Sequence, residues 1–70
     1  MYELEKQRRM YLYEGISTYD TIKTSDSIEE LEELAKNIMI RSGKTFHEVL
    51  VINEINDDGD VEDVRIIKEN

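Results

Sequence analysis

Residues 28–42 constrain the fold of this chain more than any other segment of its sequence. Ser27 followed three residues later by Glu30 has the spacing of a capping box, in which two side chains satisfy backbone N–H groups at a helix start. Gly43, with Arg41 shortly before it, is typical of a helix end. Between these signals, apolar residues recur at the spacing of one helical face: Ile28, Leu31, Leu34, Ala35, Ile38 and Met39. The pattern predicts one amphipathic helix over this segment, which needs another element against which to bury its apolar face.

Two segments rich in Val and Ile, residues 46–55 and 61–67, follow the helix and are separated by the turn-forming residues 56–60. This arrangement predicts a β-hairpin. A two-residue turn would place Ile52 opposite Arg65 and so mix apolar with polar side chains. A three-residue loop ending in a left-handed glycine gives apolar pairs instead, namely Leu50 with Ile66, Ile52 with Val64, Val49 with Ile67 and Ile55 with Val61. We favour the three-residue loop, because apolar cross-strand pairs stabilise a sheet.

The first part of the chain is predicted to add two more strands, residues 9–14 and 16–23, because both segments alternate apolar and polar residues. Glu14-Gly15 would join them, and residues 1–8 would form a helical turn or a frayed arm. The element order is then β-β-α-β-β in a single small domain spanning residues 1–70. We therefore predict an α+β fold, an antiparallel sheet of three to four strands packed on one helix.

Composition limits the chemistry open to a chain of 70 residues. The sequence contains no Cys, which excludes disulfides, thiolate metal sites and thiol catalysis. His47 is the only histidine, and no nucleophile stands at a useful spacing, so an enzyme is the class favoured least and no cofactor or metal is predicted. No apolar run is long enough to span a bilayer and no signal peptide is visible, which predicts a cytoplasmic protein.

A net charge of −8 argues against direct contact with nucleic acid or an anionic membrane, since both attract basic faces. Residues 26–63 carry twelve acidic and three basic residues, a net charge of −9, while Lys6, Arg8 and Arg9 form a small basic arm. An acidic field accelerates encounter with a basic partner, although acidic residues also keep small domains soluble. The sequence therefore predicts a protein partner with a basic surface, against the simpler interpretation that the acids only confer solubility.

Apolar residues outside the predicted core supply a second set of candidates. On the predicted helix, Ile40 lies opposite the apolar face, among acids, and is either an isolated surface residue or the anchor of an interface. Tyr11 and Tyr13 would share a sheet face with Val49, Val51, Ile55 and Ile67. Unless that face is simply the core, it predicts a homodimer or a docked partner.

The turn also invites comparison with a calcium-binding loop. Residues 54–62 match an EF-hand loop loosely, with acidic or amide side chains at alternate positions and Gly59 among them. Arg65 stands where the loop needs its bidentate Glu, however, and strands rather than helices are predicted on either side. A plain hairpin turn is the favoured interpretation, and a calcium-responsive hairpin is the weaker alternative.

In size, acid excess, absence of Cys, Pro and Trp, and strand-helix-strand order, the chain resembles small phage-encoded inhibitors such as anti-CRISPR proteins and DNA-mimicking inhibitors. The likeness covers the whole chain and is one of character, without a shared motif. Inhibitors of this kind place carboxylates where a nucleic-acid-binding protein expects phosphates. The resemblance implies a non-enzymatic inhibitor or modulator, whose phosphate surrogates would be Glu29, Glu32, Glu33, Asp57, Asp58, Asp60, Glu62 and Asp63.

Overall fold

The computed structural model describes residues 1–12, 16 and 18–69, with the side chains of all of these except residues 63 and 64. This part of the chain forms four strands and one helix in the predicted order: β1 at Tyr2–Met10, β2 at Thr18–Ser25, α1 at Ile28–Ala35, β3 at Phe46–Ile55 and β4 at Val61–Glu69. The strands form one antiparallel sheet in the order β2-β1-β3-β4, and α1 packs on one of its faces. The predicted α+β fold is confirmed.

Strand β1 lies in the middle of the sheet, although most of its residues are charged or polar. It pairs with β3 along its whole length, from Tyr2 to Met10, and with β2 on its other side. Residues 1–8 are therefore neither a helical turn nor a frayed arm. The predicted strand at residues 9–14 is wrong as far as the structure describes it, because β1 ends at Met10 and a turn follows, and the predicted joint at Glu14-Gly15 lies outside the described residues. Strand β2 lies two residues later than predicted. Hydrogen bonds from two neighbouring strands satisfy the β1 backbone, which a pattern of apolar alternation does not reveal.

Helix α1 begins at the predicted residue and ends early. Only half of the predicted capping box is formed, because the Ser27 backbone N–H donates to Ser25 Oγ at 3.0 Å and not to Glu30. Ser27 Oγ accepts a hydrogen bond of 3.3 Å from the Glu30 backbone N–H, which caps the first turn. The last helical residue is Ala35, so the prediction of a helix over residues 28–42 is too long. A helix of this length is marginal by itself, and it is stabilised here by packing its apolar face on the sheet.

The segment after the helix is extended, which corrects the prediction for Ile40. The Glu48 N–H donates to the Arg41 carbonyl at 2.9 Å, so this segment runs beside the start of β3. In an extended chain alternate residues share a side. Ile38 and Ile40 accordingly both pack on the core, whereas Met39 between them is 84% exposed. The predicted place of Ile40 among the acids of a helix face is wrong, because the helix has already ended.

The hydrophobic core lies between α1 and the two central strands. Its fully buried members are Leu4, Leu31, Ala35, Leu50 and Ile52, and the residues packed around them are Tyr2, Ile28, Leu34, Ile38, Ile40 and Ile67. Burying one Leu or Ile side chain contributes about 1.5–3 kcal/mol. A chain of this size has few such residues, so polar groups in its interior weigh heavily on its stability.

The loop between β3 and β4 has the predicted three-residue form. Gly59 has a φ of +86°, a left-handed conformation that glycine adopts without strain, and its N–H donates to the Asn56 carbonyl at 2.9 Å. The Asn56 N–H in turn donates to the Asp60 carbonyl at 2.9 Å. Ile55 lies opposite Val61, which confirms the predicted register next to the loop.

Further from the loop, two bulges change the register of the hairpin. Ile52 faces Arg65 and Val51 faces Ile66. The predicted pairs that this register excludes are Leu50 with Ile66, Ile52 with Val64 and Val49 with Ile67. Each bulge inserts one extra β4 residue, and Arg65 thereby reaches the helix-covered face, where its guanidinium pairs with Glu32. Apolar pairing between the strands does not predict this register, since what the register provides is a contact between Arg65 of β4 and Glu32 of α1.

Candidate functional site

The topology brings the start of the helix and the hairpin loop to the same end of the sheet. Strand β1 starts beside the end of β3, where the Ile55 N–H donates to the Met1 carbonyl at 2.8 Å. Strand β2 ends there too, with Ser25 opposite Tyr2, and leads directly into α1. We call this the acidic end, because its exposed acids include Asp26, Glu29, Glu54, Asp57, Asp58, Asp60 and Glu62. Residues far apart in the sequence thus make one end of the molecule negative.

Most of the predicted phosphate surrogates lie exposed at the acidic end, namely Glu29, Asp57, Asp58, Asp60 and Glu62. Glu32 is instead half-buried and pairs with Arg65, so it serves the contact between α1 and β4. Glu33 is exposed and pairs with Lys36 at 3.0 Å, a surface ion pair worth about 0–1 kcal/mol that a partner can displace. The side chain of Asp63 lies outside the described part of the chain.

One acid of the first helical turn is committed to the fold. Lys23 Nζ lies 2.6 Å from Glu30 Oε1, and the Ser25 hydroxyl donates to Glu30 Oε2 at 2.8 Å. These hydrogen bonds from Lys23 and Ser25, together with the Lys23 charge, lower the pKa of Glu30. Both Glu29 and Glu30 are exposed, but among the described residues only Glu30 forms an ion pair, and this pair joins α1 to β2.

The opposite end of the sheet is basic and holds a buried carboxylate. Glu48 is 3% exposed, and its Oε1 accepts a hydrogen bond of 2.8 Å from the Arg41 backbone N–H. Arg8 Nη2 donates to Glu48 Oε2 at 3.4 Å, and Lys6 Nζ lies 4.0 Å from the same oxygen. Burial alone raises the pKa of Glu48, but the Arg41 N–H and the charges of Lys6, Arg8 and Arg41 outweigh it, so the pKa falls below the usual range. Lys6 and Arg8 thus belong to a central strand and not to a basic arm.

An open pocket of about 410 Å³ surrounds this carboxylate, lined by Lys6, Arg8, Thr18, Asp20, Arg41 and Glu48. Arg8 also stacks over the Phe46 ring, with its guanidinium carbon 4.3 Å from the ring centroid. All three cations of the pocket lie within 4.0 Å of the Glu48 carboxylate. The sequence signal for this cluster was an acid on the same side of β3 as Leu50 and Ile52, since a buried acid needs cationic partners.

The face of the sheet opposite α1 carries a row of polar side chains on β1 and β3. We call Glu3, Glu5, Gln7 and Asn53 the polar row. Gln7 and Asn53 are each 1% exposed, and Glu5 is 7% exposed. Gln7 Nε2 donates to Glu5 Oε1 at 2.7 Å, and Asn53 Nδ2 donates to Glu3 Oε1 at 3.1 Å. Two amides and the Glu5 carboxylate are thus buried, and the Glu3 carboxylate half-buried, on a face that the helix does not cover.

An open pocket of about 330 Å³ lies over the polar row. Ile16, Tyr19 and Thr21 line it on the β2 side, and Val61 lines it at the start of β4. Asn53 Oδ1 is buried and has no hydrogen-bond partner within the described residues. Reasoning from the sequence missed this pocket. The available signal was an amide within the apolar run of β3, because a buried amide needs partners for both of its ends.

Tyr11 and Tyr13 were predicted to form part of an open apolar sheet face. Tyr11 lies exposed in the turn after β1, with its ring stacked on that of His47 at a centroid distance of 5.1 Å. Tyr13 lies outside the described residues. The residues predicted to extend an open apolar face are buried or half-buried: Val49, Val51, Ile55 and Ile67. That surface is therefore not formed as predicted, and Ile67 packs on the helix side of the sheet.

No protein-family model matches the sequence, and no curated protein or solved structure is significantly similar to it. In the ranges that the structure describes, no three His, Cys, Asp or Glu side chains are placed to hold a metal ion. The same ranges contain no helix long and apolar enough to cross a membrane. The acidic end, the Glu48 cluster and the polar row are therefore the features from which function is inferred.

Proposed function

We propose that the protein is a non-enzymatic binding module that docks its acidic end on a basic surface of a nucleic-acid-handling protein and inhibits or modulates it. The observation that carries the proposal is the separation of charge along the sheet. Exposed acids from the helix start and the hairpin loop share one end, while Lys6, Arg8 and Arg41 gather around Glu48 at the other. Solubility alone does not require this separation, whereas docking on a basic surface benefits from it.

The exposed acids suit the role of phosphate surrogates. A surface that binds a nucleic-acid backbone presents Lys and Arg side chains to successive phosphates, largely without regard to sequence. Asp57, Asp58 and Asp60 lie on a short loop closed by backbone hydrogen bonds, and Glu29 lies in the capped first turn of α1. Together with the small size and acid excess of the chain, this supports a phage-encoded inhibitor of the anti-CRISPR or DNA-mimic type that acts in the cytoplasm.

Capture from a bacterial lysate on the immobilised protein, at ~50 mM and ~500 mM salt, tests the proposal. We expect a basic nucleic-acid-binding protein to be retained at low salt and released at high salt. Duplex DNA should displace it, because both ligands compete for the same cations. The double substitution Asp58→Asn with Asp60→Asn should weaken retention of that protein about tenfold.

The matched control is Asp20→Asn with Glu69→Gln, which removes the same charge from exposed positions away from the acidic end. If net charge alone governed retention, the two double variants would behave identically. Identical behaviour, or retention that ignores both salt and DNA, would contradict docking through the acidic end.

A homodimer is the second candidate, and strand β4 favours it. This edge strand exposes Val61 and Ile66, each 52% exposed, and an unpaired edge can add a strand from a second copy. Sedimentation at ~100 µM separates the two candidates. A monomer at that concentration would exclude a dimer whose dissociation constant is below about 100 µM.

A further inference from the structure

We infer that the pocket over the polar row binds the guanidinium group of an arginine side chain from the basic partner. The inference rests on the proposed function and names the chemistry of one contact within it. Val61, which lines the pocket, directly follows Asp60 of the hairpin loop. The pocket therefore adjoins the acidic end, and an arginine of a partner docked there is within reach of it.

One acceptor in the pocket, Asn53 Oδ1, lacks a donor among the described residues. The carboxylates beside it each accept neutral hydrogen bonds: Glu3 from Asn53 Nδ2 and from the Thr21 hydroxyl at 3.0 Å, and Glu5 from Gln7 Nε2. Asn53 Nδ2 donates to a carboxylate oxygen of Glu3, which cannot itself donate, so the orientation of the Asn53 amide is fixed. Its Oδ1 is consequently the atom left without a partner in the described residues, although Asn53 is 1% exposed. A buried acceptor of this kind is rare in native proteins and calls for an explanation. A ligand that supplies N–H donors explains it.

The charge of the pocket points the same way. Among the ion pairs of the described residues, none includes Glu3 or Glu5, in contrast to Glu48 with its three cations. Of the described residues that line the pocket, none is basic. Arg9, the nearest basic residue on the same face of β1, donates through Nε and Nη2 to Gln7 Oε1. Two carboxylates on the same face of β1 thus have no ion-pair partner among the described residues, and a cationic ligand supplies one.

The spacing of the acceptors favours a guanidinium over a metal ion. Glu3 and Glu5 are two residues apart on β1, so their Cα atoms are about 6.6 Å apart. A calcium ion needs six or more oxygens at about 2.3–2.6 Å, and the described residues hold no cluster of three ligands. A guanidinium carries five donors in a planar fork and spans separated acceptors.

The walls of the pocket favour arginine over lysine. Tyr19 offers an aromatic ring, and Ile16 and Val61 offer apolar surface beside the acceptors. A guanidinium is weakly hydrated and stacks on aromatic rings, while its three-carbon stem packs on apolar side chains. A lysine ammonium is a compact, strongly hydrated charge that matches such walls less well.

Titration of the protein with the capped peptide acetyl-Gly-Arg-Gly-amide, followed by NMR, tests the inference. We expect saturable shifts at millimolar concentration in the Asn53 side-chain amide and in the backbone amides of Glu3, Glu5 and Thr21. The same peptide with citrulline in place of arginine has nearly the same shape without the charge and should cause no such shifts. The lysine peptide should bind several-fold more weakly.

Two single substitutions locate the contact. Glu5→Gln removes one charge and keeps an oxygen to accept from Gln7 Nε2, and it should weaken the arginine peptide about tenfold. Glu29→Gln removes one charge from the exposed start of α1 and should leave the affinity of the peptide unchanged. Glu3→Gln serves as a second pocket variant, and the NMR spectra themselves show whether each variant is folded.

Several outcomes would contradict arginine binding in the pocket without contradicting the proposed function. Shifts centred on Asp57 and Asp58, or equal losses from Glu5→Gln and Glu29→Gln, would show only general attraction to the acidic end. Equal binding of the citrulline peptide would show that the positive charge of the ligand is not recognised. Identical shifts with calcium chloride would show that the pocket binds a metal ion. Conversely, peptide binding in the pocket without any salt-dependent partner would leave the pocket standing and remove the proposed docking.

Discussion

Strand β3 buries one polar side chain on each face of the sheet, and the two are treated differently. Glu48, on the helix side, is surrounded by Lys6, Arg8 and the Arg41 backbone N–H. Asn53, on the other side, has its amide nitrogen bonded to Glu3 and its oxygen bonded to no described residue. Both interrupt an apolar run in the sequence, but among the described residues only Glu48 has a partner for each of its side-chain oxygens.

The difference separates a structural group from a group available for function. A buried charge with a full set of partners holds the fold and has nothing left to offer a ligand. A buried acceptor without a donor costs about 1–3 kcal/mol, a large share of the stability of so small a domain. A chain that keeps such a group gains something from it elsewhere, and binding is the simplest gain.

The largest expected effect on stability comes from removing the buried charge of Glu48. Glu48→Gln keeps an acceptor for the Arg41 N–H but leaves three cations close together without their anion. We expect the free energy of unfolding at neutral pH to fall by about 2 kcal/mol, below the usual cost of breaking a buried pair because the cations are partly exposed. Urea unfolding measures it.

Glu54→Gln, at an exposed position of the same strand, is the control for that measurement and should change stability by less than about 0.5 kcal/mol. Equal effects at the two positions would show that the Glu48 cluster does not hold the fold, and the contrast between the faces would fail.

The second expected effect is a dependence on pH. Because the folded-state pKa of Glu48 is depressed, its carboxylate stabilises the fold above the ordinary Glu value of about 4.3. That contribution is lost as the pH falls through the folded-state pKa. The difference in urea midpoint between wild type and Glu48→Gln should therefore be full at neutral pH and shrink below about pH 4. A difference that persists unchanged to about pH 2 would mean that the carboxylate charge is not what stabilises the cluster.

Local backbone chemistry was predictable from the sequence, and competition between distant segments was not. The Ser27 cap and the left-handed Gly59 each depend on a few neighbouring residues, and both predictions are confirmed. The prediction for Ile40 is wrong because helix-type hydrogen bonds end at the Ile38 N–H, and from Arg41 the backbone bonds to the start of β3 instead. Helical spacing describes only one of these two alternatives, since the partner strand is non-local.

The candidate site divides along the same line. Exposed acids such as Asp58 and Asp60 were identified because nothing but composition and a turn signal was needed. The polar row was missed, because Glu5 and Gln7 look like solvent-facing strand residues until β1 is known to lie between two other strands. Only the pairing of β1 with β3 brings Glu3 opposite Asn53 and makes their burial visible.

A smaller effect is expected from removing the unsatisfied acceptor. Asn53→Val takes away the buried Oδ1 and places a residue of high β-propensity in a central strand, while water replaces the lost donor to the partly exposed Glu3. We expect stability to rise by about 1 kcal/mol in urea unfolding, and the arginine peptide to bind more weakly than to wild type. A clear loss of stability would show that Oδ1 is satisfied in solution, and Asn53 would then be a structural group like Glu48.

The smallest expected effect is at the acidic end. Asp58→Asn removes one of three exposed acids that repel one another across the hairpin loop, so stability should rise slightly, by less than about 0.5 kcal/mol. Salt screens exposed charges, and the difference in urea midpoint should vanish at about 0.5 M salt, whereas that of Glu48→Gln should largely remain. If Asp58→Asn instead destabilised the protein by more than about 1 kcal/mol, the Asp58 carboxylate would be holding the loop. It would then not be free to meet a partner's cations, and the proposed docking surface would shrink to the helix start.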